Sequence, residues 1–234
     1  MKKCSLKTSG LGLCIMIGLM VLGNCVGNGM KRFADKDRYV TVKGLAEREV
    51  MANKVVWPLP FNCVGNNLEE LYNEVEKSKR TILSFLESNG ITSDEIVLSA
   101  PKVTDREAQS YTPDNLKYRY QVESVITIIS MQVEKVMQLM NSQADLMKQG
   151  VAIGEDYRYQ TQFDFTLLNE LTPEMLEEAT RNARAVAQKF ADDSKSELGG
   201  IRQASQGQFS ITSDQNTPQL KKIRVVTTVD YFLK

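Results

Sequence analysis

The most constraining feature of the chain is its repeated change between two spacings of apolar residues. In one stretch the apolar face uses every second position and consists of Tyr118, Tyr120, Val122, Ile126 and Ile128. In another stretch alanine recurs at every fourth position, at Ala179, Ala183, Ala187 and Ala191. The first spacing predicts a β-strand with one buried face, and the second predicts an amphipathic helix. A chain that changes between them several times is expected to form an α+β domain with layers of sheet and helix.

The same two spacings predict the order of elements along the chain. Strands are predicted at 39–44, 53–57, 95–103, 118–129, 157–166, 202–211 and 222–232, and helices at 67–89, 133–150 and 172–198. The stripe of the second helix is Val133, Val136, Met137, Met140, Ala144 and Met147. The predicted order is therefore ββ-α-ββ-α-β-α-ββ, which describes one layered α+β domain over residues 39–234.

Polar and proline-containing steps predict several breaks between strands. Pro58 and Pro60 donate no backbone hydrogen bond, so the second strand is expected to end there or to run along a sheet edge. The polar step at 47–49 is interpreted as a turn. A polar loop is predicted through Tyr111, Pro113, Asp114 and Asn115.

Capping residues predict where the helices begin and end. Gly90 is placed to end the first helix in a left-handed conformation, and Gly150 to end the second. Thr172 is predicted as the N-cap of the last helix, with Pro173 at its first position and Gly199 just past its end.

Four aromatic residues form the candidate ligand or partner surface: Trp57, Tyr118, Tyr120 and Tyr157. Large rings with a polar tip suit the lining of a small-ligand pocket. The row Tyr157, Tyr159, Phe163 and Phe165 has period two, however, and such a row is more typical of the buried face of a sheet.

The chain lacks the residues of the common catalytic and metal sites. It contains no histidine, which excludes Ser-His-Asp and Cys-His sites and every zinc site that needs histidine. Cys63 is the one cysteine after residue 25, and it is interpreted as a small buried apolar residue. We therefore predict no catalytic residue, no metal site and no cofactor. Because the formal net charge is zero and no helix has a basic stripe, nucleic-acid binding is not expected.

The N-terminal run of residues 11–26 predicts where the chain acts. The run is uncharged and mostly apolar, and it follows Lys2, Lys3 and Lys7. As a helix, residues 9–29 would span about 30 Å, close to the thickness of the hydrocarbon core. We predict a membrane anchor at 1–30, a tether at 31–38 and the domain at 39–234, with the lysines on the cytoplasmic side. A cleaved signal peptide and a lipoprotein modified at Cys25 are the alternatives.

Several motifs, taken in order, resemble the SIMPL-domain (DUF541) family. They are the opening strand Val40-Thr41-Val42-Lys43-Gly44, the helix end Asn89-Gly90-Ile91, the late pattern Ala183-Arg184, Ala187, Ala191 and Leu198-Gly199, and a closing strand of alternating Val and Thr. The chain departs from the family pattern at 51–54, at Val186, where the family has lysine, and at Lys195, where it has glycine. The resemblance implies a bacterial cell-envelope protein with an α+β fold that tends to form oligomers and is linked to envelope or oxidative stress.

Three hypotheses about function follow from these observations. The first is a non-enzymatic protein, anchored in the bacterial inner membrane with its domain in the periplasm, that self-associates or binds an envelope protein. The second is a periplasmic small-ligand binding module that uses the four aromatic residues. The third is an enzyme that uses carboxylates or Cys63.

Overall fold

The computed structural model describes residues 16–27, 29, 38–108, 117–154 and 156–234. Its strands are β1 (Tyr39–Met51), β2 (Lys54–Gly65), β3 (Ile96–Leu98), β4 (Lys102–Asp105), β5 (Tyr120–Ser130), β6 (Gln162–Asp164), β7 (Leu198–Gln206), β8 (Ser210–Thr212) and β9 (Leu220–Leu233). Its helices are α1 (residues 16–27), α2 (Leu68–Ser88), α3 (Val133–Asn141), α4 (Ala144–Lys148) and α5 (Leu168–Asp193), with a short 3-10 helix at Ser93–Glu95. The α+β class is confirmed. The order after α1 is ββ-α-βββ-αα-β-α-βββ, so the predicted order is wrong in detail.

The chain divides into two compact units. The first unit contains the described residues within Met1–Arg48 together with Asn169–Ile211 and Ile223–Lys234. The second unit contains the described residues within Glu49–Leu168 together with Thr212–Lys222.

The first unit is a sheet covered on one face by α5. The sheet has the order β1-β9-β7, and β8 also pairs with β9. Its core is a cluster of five buried residues: Val42, Ala183, Ala187, Val229 and Tyr231. The predicted face of the closing strand is confirmed, because Ile223, Val225, Thr227, Val229 and Tyr231 are all buried.

The second unit is a sheet whose core is shared with three helices. The sheet has the order β3-β5-β2-β6, with β4 also pairing with β5, and all of its pairings are antiparallel. The inner face of β2 consists of Val55, Trp57, Leu59, Phe61 and Cys63. α2, α3 and α4 contribute Leu71, Ile82, Leu86, Val136 and Leu146 to the same cluster.

β1 continues through the polar step that predicted a turn. Side chains alternate between the two faces of a strand, and Glu47 and Glu49 are both exposed. The Nε atom of Arg224 on β9 lies 3.5 Å from Oε1 of Glu47. The predicted turn is wrong because these charges form the solvated face of one long strand.

β2 also continues through its two prolines. Pro58 pairs with Thr127 and Pro60 with Val125 on β5. The N–H of Gly154 donates to the carbonyl of Pro60 at 3.0 Å, so the backbone groups of even-numbered residues point away from β5. The ladder with β5 therefore loses no donor. The prediction that β2 ends at its prolines is wrong. The alternative prediction, that β2 runs along a sheet edge there, is confirmed on the side away from β5.

The third predicted strand is divided into β3 and β4. Both strands pair with β5, with Ile96 opposite Ile128 and Lys102 opposite Glu123. The two registers differ by one residue, so the chain accommodates an extra residue at 99–101. A strand forms in the predicted region, but it is interrupted.

The single helix predicted over 133–150 is wrong, because α3 ends and α4 begins a new turn. The N–H of Ser142 bonds to the carbonyls of the preceding turn, where α3 ends. The break rotates the stripe, so that Leu146 is fully buried and Met147 is 58% exposed. Gly150 ends α4 with φ of 86°, which confirms the predicted helix end. Gly90, with φ of 77°, confirms the predicted end of α2.

α5 begins at Leu168, five residues before Pro173, its predicted first position. Thr172 is not the N-cap, since the helix starts at Leu168. Pro173 lies in the second turn, where its ring removes one intrahelical hydrogen bond, to the carbonyl of Asn169. The helix ends at Asp193, before the predicted end at 198.

The strand predicted at 157–166 shortens to β6. Tyr157 is 85% exposed, whereas Phe163 is buried. The N–H of Tyr159 donates to the carbonyl of Asp156 at 2.9 Å and closes a turn. The aromatic row is therefore not one buried face, because polar turn contacts at its start override the period-two pattern.

The strand predicted at 202–211 is divided into β7 and β8. Gly199 lies inside β7 and not at a helix end. A Cβ atom at this position would lie 2.9 Å from the carbonyl oxygen of Phe232, so the glycine permits close strand pairing.

Within the described part of the chain, no helix has the length and apolarity needed to cross a membrane. Residues 1–15, 28 and 30 of the predicted anchor, residues 31–37 of the tether and the predicted polar loop around Tyr111 to Asn115 lie outside the described residues.

Candidate functional site

The open edge of β2 forms one wall of a surface cavity in the second unit. β6 pairs only with residues Lys54 to Val56 of β2. Farther along, the next backbone contact is the hydrogen bond from Gly154 to Pro60. Between these contacts the segment 156–161 turns away from the strand. The edge is left open around Pro58, whose carbonyl points outward by the alternation of the strand.

The cavity has a volume of about 520 Å³ and combines apolar walls with polar groups, which are neutral except for Asp156. The apolar walls are Trp57, Pro58, Leu59, Pro60, Met140 and Ile153. The polar side chains are Gln143, Asp156, Tyr157, Tyr159, Gln160 and Thr161. This mixture of rings and hydrogen-bonding groups is typical of a small-molecule site.

An ion-pair network holds the turn that borders the cavity. Nε of Arg158 donates to both carboxylate oxygens of Asp156 at 3.0 Å, and Nη2 donates to Oε1 of Glu123 at 2.8 Å. The guanidinium of Arg158 lowers the pKa of Asp156, so this carboxyl stays ionised. Burial and the neighbouring Glu123 raise the pKa of Tyr159, so its phenol stays neutral. The turn is thereby fixed, and Arg158 compensates the charge of Asp156.

The structure brings two of the four predicted aromatic residues together. Trp57 and Tyr157 line the cavity, and Tyr118 and Tyr120 do not. Trp57 pairs with Ile128, eight residues along β5 from Tyr120, which corresponds to about 27 Å. The guanidinium of Arg119 instead lies 4.9 Å from the ring of Tyr120. The predicted single surface of four rings does not form.

Sequence reasoning missed Tyr159, Gln143 and Gln160 as lining residues. Gln143 lies at the junction of α3 and α4, where a single helix was predicted. Tyr159 and Gln160 were assigned to a regular strand. Pro58 and Pro60 were the sequence signal that could have indicated these residues. Prolines predict an open strand edge, and a neighbouring loop is expected to lie beside such an edge.

A second exposed surface lies at the outer edge of β1 in the first unit. β1 is the terminal strand of its sheet among the described residues. The N–H of Leu233 donates to the carbonyl of Arg38, and the N–H of Ala52 donates to the carbonyl of Gln219. The backbone groups of even-numbered residues therefore face β9, and those of odd-numbered residues face outward. The outward set includes Tyr39, Thr41 and Lys43.

α5 covers only the later part of this edge. Nδ2 of Asn182 donates to the carbonyl of Leu45 at 2.8 Å. Nη1 of Arg48 lies 2.6 Å from Oε2 of Glu174, and its Nη2 lies 3.6 Å from Oε2 of Glu178. The stretch that stays open is 39–43.

An apolar ridge on α5 runs beside the open stretch. Val186 and Phe190 follow Asn182 at intervals of four residues, so they lie on the flank of α5 that meets β1. Their exposed fractions are 39% and 54%. We call Tyr39, Thr41, Lys43, Val186 and Phe190 the β1 edge surface. In the described part of the chain, this surface offers unpaired backbone donors and acceptors next to unburied apolar side chains.

Cys63 is placed as predicted, on the buried face of β2. It is 7% exposed, and its Sγ atom lies 4.0 Å from Oγ of Ser78. Burial raises the pKa of the Cys63 thiol, which disfavours the reactive thiolate. Among the described residues, no three acidic or cysteine side chains are grouped to hold a metal ion.

The sequence model of one family, described as SIMPL, protein of unknown function (DUF541), matches residues 40–230. The match covers more than three quarters of the chain. The chain belongs to the SIMPL family. No curated protein matches it.

The family motifs have clear structural roles in this SIMPL domain. Gly44, the last residue of the opening motif, faces α5, and a Cβ atom there would lie 2.6 Å from the backbone nitrogen of Ala183. Ala183, Ala187 and Ala191 of the late motif are fully buried. Both motifs therefore encode the close contact between β1 and α5, which is a requirement of the fold.

Proposed function

We propose that this SIMPL domain is a non-enzymatic protein that self-associates through the β1 edge surface. We further propose that its N-terminal segment holds it in the bacterial inner membrane with the domain in the periplasm, where it takes part in envelope or oxidative stress defence. The observation that carries the self-association is the open stretch 39–43 beside the apolar ridge of α5. An unpaired strand edge is a template for pairing with another chain.

A second copy fits this surface by symmetry. Two β1 strands pair antiparallel around a two-fold axis at Thr41, with Tyr39 of each copy opposite Lys43 of its mate. Each outward N–H and carbonyl then finds a partner. The hydrogen bond from Asn182 to Leu45 sets the limit of this pairing, because that outward carbonyl is already occupied.

The helices add apolar burial to the strand pairing. Two copies related in this way place their α5 helices side by side on the same face of the joined sheet. Val186 and Phe190 of both copies then lie between the helices. Burying an exposed phenylalanine contributes up to about 3 kcal/mol, so the ridge supplies much of the affinity.

The decisive experiment replaces one outward N–H. We expect the purified full chain to sediment as a dimer at micromolar concentration. Lys43→Pro is expected to sediment as a monomer, because proline removes an outward donor from each copy while the even-numbered ladder to β9 is kept. Lys43→Thr keeps the N–H and is expected to remain dimeric.

The ridge is tested with a pair of neighbouring substitutions. Phe190→Gln is expected to weaken association at least about tenfold, as loss of about 1.4 kcal/mol implies. Lys189→Gln introduces the same residue one position away, on the solvent side of α5, and should leave association unchanged. A wild-type chain that stays monomeric, or a Lys43→Pro variant that associates as the wild type does, contradicts the proposal.

A further inference from the structure

The cavity beside β2 is a feature of the second unit that self-association through β1 does not use. Its volume of about 520 Å³ falls within the range of small-molecule sites, about 300–1,000 Å³. Its residues lie on β2, on the junction of α3 and α4, and on the turn at 156–161. Several elements thus converge on one concave space, as in a binding site.

Arg158 compensates the charge of Asp156, which lines the cavity. Among the described residues of the lining, Asp156 is the one carboxylate, and none is a lysine or an arginine. Arg158 binds both oxygens of Asp156 and continues to Glu123. Among these described residues a charged ligand would find no free opposite charge, and it would lose hydration on entering. The chemistry favours a neutral ligand.

The remaining polar groups suit a ligand with many hydroxyls. Gln143 and Gln160 each offer an amide donor and acceptor, and Thr161 and Tyr157 offer hydroxyl groups that both donate and accept. The hydroxyl of Tyr159 already donates to Glu123 and can only accept from a ligand. The ring of Tyr157 is 85% exposed and presents a broad apolar face to solvent. A sugar ring combines an apolar C–H face with a rim of hydroxyls, and it matches both kinds of surface.

An extended peptide matches this edge less well. Strand addition needs alternate donors and acceptors along the open edge. Pro58 and Pro60 provide no N–H, and the carbonyl of Pro60 is already bonded to Gly154. The carbonyl of Pro58 remains as an acceptor, which a ligand hydroxyl can satisfy.

We propose that this cavity binds a neutral carbohydrate, with one sugar ring packed on Tyr157 and its hydroxyls bonded to Gln143, Gln160 and the carbonyl of Pro58. This activity goes beyond self-association, and it depends on a different unit of the chain. A negative result for one proposal therefore leaves the other standing.

The experiment uses the intrinsic fluorescence of Trp57, which is the one tryptophan of the chain and lines the cavity. The full chain is titrated with three neutral trisaccharides, which are cellotriose, maltotriose and chitotriose, and affinities are checked by calorimetry. We expect at least one to bind with Kd of about 1 mM or tighter. Trigalacturonic acid and trialanine, as the charged and the peptide probe, are expected not to bind.

Matched tyrosine variants connect the signal to the cavity. Tyr157→Ala is expected to weaken binding at least about tenfold, equivalent to about 1.4 kcal/mol. Tyr72→Ala removes a ring that is 59% exposed on α2 in the same unit and outside the cavity, and it should change nothing. Gln160→Ala, at another exposed lining position, should also weaken binding. The proposal is overturned if no neutral trisaccharide binds when its concentration is raised to about ten times the expected Kd. It is also overturned if only trigalacturonic acid or trialanine binds, or if Tyr157→Ala binds the trisaccharide as tightly as the wild type does.

Discussion

Lys195 is held in a backbone conformation that suits glycine. Its φ is 53°, and the N–H of Ser196 closes the end of α5 by donating to the carbonyl of Ala191 at 2.9 Å. The ends of α2 and α4 have the same pattern with Gly90 and Gly150 at the left-handed position. A side chain with a Cβ atom is strained there by roughly 1–2 kcal/mol. Lys195 thus lowers the stability of the helix end, at a position where the family pattern has glycine.

Lys195→Gly is therefore expected to stabilise the protein by about 1 kcal/mol, which raises Tm by about 2–4 °C for a chain of this size. The measurement is thermal unfolding followed by circular dichroism. Lys195→Ala removes the charge but keeps the Cβ atom, so it is expected to leave Tm near that of the wild type. An equal rise of Tm in both variants would assign the effect to the charge and contradict the backbone explanation.

The contact between β1 and α5 shows how two elements depend on small residues. The alanine stripe was predicted to let a sheet approach closely, and its four residues are fully buried. Gly44 on β1 completes this contact, because the backbone of Ala183 occupies the space that a side chain at residue 44 would need. Because both partners are small, the helix packs against the strand backbone itself. One added methyl group has no space to occupy without moving an element.

Gly44→Ala is expected to destabilise the first unit by about 1–3 kcal/mol or more, because interiors respond to overpacking with displaced backbone. Urea unfolding gives the change in free energy. Gly200→Ala is the control, since a Cβ atom at that glycine in β7 would have no neighbour within 4 Å. If Gly44→Ala and the wild type have the same urea midpoint of unfolding, α5 can move away from β1 with no loss of stability, and the prediction is wrong.

At the scale of the whole molecule, the two units present different surfaces. The first unit has the β1 edge surface, and the second has the cavity beside β2. We propose the first as the contact with a second copy and the second as the site for a neutral carbohydrate. The apolar run of the N-terminal segment predicts insertion into a membrane, and we propose that this insertion sets the place where they act.

The fate of the N-terminal segment is predicted to be retention as an anchor. Expressed in a bacterium, the full chain should resist alkaline extraction from membranes, and its mass should be that of the intact polypeptide. A shortened chain in the soluble fraction would indicate a cleaved signal peptide. A lipid adduct that is lost in Cys25→Ser would indicate a lipoprotein.

The candidate site was predictable only in part. Trp57 and Tyr157 were chosen as rings, and they do line one cavity, because one lies next to the prolines of β2 and the other on the turn beside them. Tyr118 and Tyr120 are tyrosines like Tyr157, but they lie away from the cavity. Their distance from Trp57 depends on the register between β2 and β5, which residue type does not reveal. The lining residue Gln143 depends on the break between α3 and α4, which periodicity alone did not predict.

The sequence by itself determined the α+β class, the family, the buried faces of β9 and α5 and the glycine ends of α2 and α4. These features follow from local spacing and from backbone preferences, which act over a few residues. The tertiary structure decided that β1 continues through a polar step and that β2 continues through two prolines. It also decided that the predicted aromatic strand shortens to β6 and that Trp57 and Tyr157 line one cavity. Those outcomes depend on partners far along the chain, because a strand is completed by its neighbours' hydrogen bonds, and its own residues do not specify them.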